Sequence, residues 1–95
     1  MKLLMAIVRS EFEGDVTFAL TNTGFTVTRI STTGGFWRRG NTTLLIGAED
    51  ERIDEALATI DENAGPEIET DRAPESHPPH RATIFVLGVD AFAQY

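Results

Sequence analysis

Ninety-five residues, 41% of them hydrophobic and 24% charged, are ordinary globular material with room for a single domain over residues 1–95. Fifteen acidic side chains against eight basic ones leave a formal charge of −7, which argues against a nucleic-acid or anionic-membrane binder, because both need a cationic footprint. Cysteine is absent, so disulfides, thiolate catalysis and cysteine-ligated metals are excluded.

The opening apolar run is shorter than a signal-peptide core and lacks a small-residue cleavage site; Leu3 to Val8 reads as a buried strand. No stretch approaches the ~20 apolar residues of a membrane span, so a soluble, cytoplasmic protein is expected. Glu13 to Thr23 is predicted to be a helix. Val16, Ala19, Leu20 and Thr23 recur at i, i+3, i+4 and i+7, and Gly24 stands where a left-handed C-cap belongs. Phe25 to Ser31 carries the β-branched residues of a second strand. Residues 32–41 form a glycine-punctuated loop, and Thr42 to Ala48 a third strand.

The second helix is marked by Asp50 as N-cap and by an apolar stripe of Ile53, Ala56, Leu57 and Ile60. Asp54, Glu55, Asp61 and Glu62 are expected to face water, and Ala64-Gly65-Pro66 to end the helix. Residues 65–81, rich in proline and poor in apolar side chains, read as a long surface loop. Ala82 to Val89 is the last strand. The order β-α-β-β-α-β predicts an α+β, ferredoxin-like sandwich: a four-stranded antiparallel sheet with two helices on one face. The first strand is apolar on both of its sides, so something must cover the face without helices; a symmetric homo-oligomer is the economical answer, and the long loop folding over that face is the alternative.

The charge distribution singles out one region. Between Asp15 and Glu49 there is no acid, and Arg29, Arg38 and Arg39 lie there, so this window is the place to expect an anion. Its loop joins glycines, whose accessible N–H groups can cradle phosphate, to Phe36 and Trp37, on which a base can stack. Asn41 can present a donor and an acceptor to an adenine edge, and Thr28, Thr33, Thr42 and Thr43 add hydroxyls. From the residues alone, a nucleotide site and a hairpin loop whose aromatics cap the core remain equally open.

The segments Phe25–Arg29 and Ser31–Gly47, with Thr-Gly-Gly-Phe at 33–36 and Gly-Asn-Thr-Thr at 40–43, resemble the signature of the PII-like cyclic di-AMP receptor family. The opening Met1–Val8 and the ending Val89–Tyr95 are similar as well, so the resemblance spans nearly the whole chain except about residues 65–81. It implies a PII-like homotrimer that binds cyclic di-AMP between neighbouring subunits. Carried over by position, it implies ligand contacts at Thr28, Gly35, Phe36, Trp37, Asn41, Gly47, Phe85 and Gln94. Thr26 stands where members often carry arginine, Gly24 where asparagine is common, and Trp37 where leucine is. Arg29 and Arg38 are then the candidate compensating phosphate contacts.

Other chemistry is weakly supported. His77 and His80 are held extended by Pro78-Pro79 and lack a third ligand at useful spacing, so no metal site is expected. The carboxylates around Glu49–Glu55 suit a helix start better than acid–base work, and no Ser-His-Asp arrangement is plausible. The expectation is a non-enzymatic signalling protein with no cofactor, whose ligand biases mobile loops that an unknown downstream protein reads. The alternatives are a PII-like sensor of another adenine nucleotide and a small phosphate-ester hydrolase.

Overall fold

The computed structural model describes residues 1–30, 40–66, 81–91, 93 and 95. Their elements are β1 (Lys2–Arg9), α1 (Ser10–Asn22), β2 (Thr26–Ile30), β3 (Asn41–Ala48), a 3-10 turn (Asp50–Arg52), α2 (Ile53–Asn63) and β4 (Ala82–Gly88). The sheet order is β2-β3-β1-β4, and every neighbouring pair is antiparallel. This is the expected ferredoxin-like α+β arrangement.

Strand alternation sorts the sheet into two faces. Leu4, Ala6 and Val8 of β1 and Leu44, Ile46 and Ala48 of β3 are buried on one of them. Val16 and Leu20 of α1 and Ala56 and Ile60 of α2 close over that face to make the core. Fully burying side chains of this size is worth about 1.5–3 kcal/mol each, and this is the largest favourable contribution in so small a chain.

The other face carries rows set by register: Thr26, Gly47, Leu3 and Leu87; then Thr28, Leu45, Met5 and Phe85; then Ile30, Thr43, Ile7 and Thr83. No helix packs there among the described residues. Phe85 and Leu87 remain 47% and 45% exposed, whereas Leu4, Ala6, Val8, Leu44 and Ile46 of the two central strands are fully buried on the helix-covered side.

Several expected boundaries move. The first helix begins at Ser10, so the acidic stretch 10–15 is its first turns, where Glu11 and Glu13 face the positive end of the helix dipole. Its C-terminus is the expected one. Gly24 has φ +98°, its N–H donates to Thr21 O at 3.0 Å, and Phe25 N–H donates to Leu20 O at 3.0 Å. That pair of bonds is a Schellman motif. Arg52 then donates to the terminal Thr23 carbonyl at 2.8 Å and stacks over Phe25, with 4.2 Å to the ring centroid.

Asp50 does not cap α2. A 3-10 turn precedes the helix, and the Asp50 carboxylate pairs with the Met1 amine at 3.2 Å. The four acids expected on the outer face of α2 are exposed, as the stripe predicts.

Two arginines secure the end of α2. Arg9 donates to Ala64 O and Pro66 O, both at 2.9 Å, and lies over Phe12 with 4.7 Å to the ring centroid. Arg81 donates to Asp61 O and Gly65 O at 3.1 Å each and pairs with the Asp61 carboxylate. The connection predicted over residues 65–81 therefore leaves and rejoins the fold at one point; residues 67–80 lie outside the described residues. Gly65 sits in this knot at φ +95°, and a Cβ there would run into the Phe12 ring and the Arg9 guanidinium. Gly65→Ala is expected to cost about 1–3 kcal/mol of stability. A fall of that size in urea-unfolding free energy, with an unchanged m-value, checks it.

Candidate functional site

β2 is an edge strand, bonded only to β3, and its residues alternate between the two faces. Val27 and Arg29 turn toward the helices; Thr26 and Thr28 turn to the uncovered face. Arg29 Nε lies 3.6 Å from Glu13 Oε1 of α1, an ion pair on the helix side. The structure thus places this proposed phosphate contact on the opposite side of the strand from Thr28. The acid-free window is real in sequence, but strand parity divides its residues.

On the uncovered face, β2, β3 and the start of β1 form the wall of a cleft of about 420 Å³. Thr26, Thr28, Leu45, Gly47 and Leu3 line it, with Met1, Lys2, Val89 and Ala93 around them. That volume lies within the range of small-molecule sites. Val89 N–H reaches Met1 O at 3.3 Å, which continues the β1–β4 ladder along one rim. Gly47 keeps the floor low. A Cβ built there would stand 3.3 Å from the Met1 methyl, so any larger side chain would project into the cleft.

The chemistry of this surface is hydroxyl and apolar. None of the described lining residues is acidic, although the chain carries fifteen carboxylates. Thr26 and Thr28 offer donors to an anion, and Leu3 and Leu45 offer apolar area to a base. Lys2 is the one cationic side chain among the described lining residues, and its Nζ stands near Gly88. Thr43 belongs to the same face, and its hydroxyl has no hydrogen-bond partner among the described residues. Thr42 does not: it turns to the helices, where its Oγ1 and Ser10 Oγ are 2.7 Å apart.

The residues expected to touch ligand are only partly brought together. Thr28 and Gly47 share the cleft. Asn41, expected in the loop, is the first residue of β3 and pairs with Arg9. Six residues of strand put it roughly 20 Å from Gly47. Phe85 is in the row of Thr28 but three strands away, roughly 14 Å across the sheet. Gly35, Phe36, Trp37, Arg38 and Gln94 lie outside the described residues, as do His77 and His80.

Leu3, Leu45 and Thr26 were not expected as site residues. The period-2 alternation of Asn41, Thr43, Leu45 and Gly47 is the signal that puts Leu45 beside the glycine.

Comparison with known proteins agrees with the fold. A crystal structure titled as a functionally unknown protein from Pediococcus pentosaceus ATCC 25745 superposes with a TM-score of 0.74 at 34% sequence identity. The match covers 99% of this chain and 96% of that one, so the whole architecture is shared. Residues 1–73, which contain β1 through α2 and the strands that wall the cleft, match the cyclic-di-AMP receptor family, and the chain belongs to that family.

Proposed function

We propose that the protein is a PII-like receptor that binds cyclic di-AMP on the uncovered sheet face, in clefts that neighbouring copies of a homotrimer complete. The observation that carries this is the cleft itself, where Thr28 and Gly47 meet in a surface with no carboxylate among its described lining residues, on an acidic chain. The dispersal of the remaining contacts supports the second copy. No mononucleotide half of a ligand reaches both Gly47 and Asn41, or both Thr28 and Phe85, within one chain. Two chains packed across the apolar face bring such groups to one ligand from opposite sides. Burial of Phe85 and Leu87 in that seam supplies part of the driving force.

The ligand then acts as a bias, not as a substrate. Contacts made in only one arrangement of residues 32–41 and 65–81 shift the population between arrangements, and a downstream protein reads the result. Receptor-family membership favours this non-enzymatic reading over hydrolysis.

Calorimetric titration against cyclic di-AMP, cyclic di-GMP, AMP and ATP tests the assignment. Saturable binding of cyclic di-AMP, with a thermal shift that grows with ligand concentration, is expected. Preference for ATP would make the protein a sensor of another adenine nucleotide. Release of a linear dinucleotide on incubation would make it a hydrolase.

A further inference from the structure

We infer that Ser10 is a positioning residue for Asn41. Ser10 is the first residue of α1, where helix amides lack intrahelical acceptors. Its N–H donates to Gly40 O at 2.6 Å, and its Oγ lies 2.7 Å from Thr42 Oγ1. These two bonds grip the residues on either side of Asn41. Asn41 itself forms the last register pair of β1 with β3, opposite Arg9.

A strand end is where a ladder opens first, because its terminal pair is supported from one side only. The Ser10 amide supplies one further step beyond that pair, and the Ser10 hydroxyl holds the step behind it. Thr42 turns toward the helices and is buried, and its hydroxyl has Ser10 as its hydrogen-bond partner. With Thr42 held on one face, alternation places Asn41 on the other, the face that carries the cleft. Arg9 strengthens the grip, since its guanidinium is tied to Ala64 O and Pro66 O and cannot swing freely. Ser10 makes no contact with ligand in this scheme; it limits the directions available to the Asn41 amide.

This inference rests on the ligand-binding reading given above, and the test separates the two. Amide hydrogen exchange of the ligand-free full-length chain is compared among wild type, Ser10→Ala and Ser10→Thr, and each is titrated with cyclic di-AMP. Ser10→Ala is expected to raise exchange severalfold at Asn41 and Thr42 while Leu44–Ile46 keep their protection. Its affinity should fall about two- to tenfold, the equivalent of one neutral hydrogen bond. Ser10→Thr, which keeps the hydroxyl, should restore both.

Unchanged exchange in Ser10→Ala overturns the inference, whether or not the wild type binds. So does a uniform rise across the sheet, which would mark a merely structural role, or a raised local exchange with unaltered affinity. A wild type that binds no cyclic di-AMP rejects the ligand reading, and the inference falls with it even if the exchange result holds.

Discussion

Replacing Gly47 by leucine is expected to weaken cyclic di-AMP binding about a hundredfold or more, equivalent to at least about 2.7 kcal/mol, with little loss of fold stability. The two effects separate because of where the glycine lies. Gly47 is in the middle of the sheet's pairing, between Leu3 and Thr26, and its φ is outside the left-handed region. A strand interior at ordinary φ favours a side chain over glycine by roughly 0.5–1 kcal/mol. The Met1 methyl is the nearest group a new Cβ meets, and it is the end of a flexible side chain that can swing aside. The remaining atoms of leucine then stand in the cleft, against Thr28 and Leu45. Gly47→Ala, which adds only the Cβ, should lose far less affinity. Calorimetry for binding and urea unfolding for stability check both parts. Full affinity in Gly47→Leu would place the ligand elsewhere.

The contrast between Gly47 and Gly65 shows what local sequence conveys. Gly65 sits in an Ala-Gly-Pro stop, and its left-handed φ follows from helix termination alone. Gly47 interrupts an apolar strand, and nothing nearby in the chain says that its missing side chain opens a cleft. Leu3 and Leu45 have the same history. Composition marks them as core; only the register, which pairs residues some forty positions apart, assigns them to the uncovered face. The helices and strands were legible because apolar periodicity is local, as at Val16 and Leu20 or along Leu3–Val8.

The errors of boundary have the same physical source. Residues 10–12 contain one apolar side chain, Phe12, and no helical stripe, yet α1 starts at Ser10 because Ser10 bonds to Gly40 and Thr42, thirty and more positions away. Asp50 has the chemistry of an N-cap, but its carboxylate is engaged by the Met1 amine, which the β1–β3 ladder brings alongside. Arg29 has the chemistry of a phosphate contact, and its strand parity sends it to Glu13. For Ser10 and Asp50 a long-range partner decided the boundary, and for Arg29 strand parity decided the face. Family membership was legible by another route, the resemblance of the segment around Gly40–Thr43 to the cyclic-di-AMP receptor family that residues 1–73 match.

Leu87→Glu is expected to convert the proposed trimer to monomers while leaving each chain folded. Leu87 stands on the uncovered face opposite Leu3, and in the single chain it is 45% exposed. A carboxylate there reaches water as long as the chain is alone, so the monomer loses little. In a seam between sheets the same carboxylate would be buried among Leu3, Met5 and Phe85 without a cation. An ionised group so placed costs several kcal/mol, and a symmetric trimer incurs that cost at every copy. Losing one half-exposed leucine removes about 1 kcal/mol of apolar burial per chain in addition. Light scattering should report one-third of the wild-type mass, and circular dichroism an unchanged fold. Cyclic di-AMP binding should disappear together with assembly, because Asn41 and Gly47 lie too far apart in one chain to serve the same nucleotide half. A monomer that still binds would show that one chain's cleft suffices, and an intact trimer would remove Leu87 from the interface.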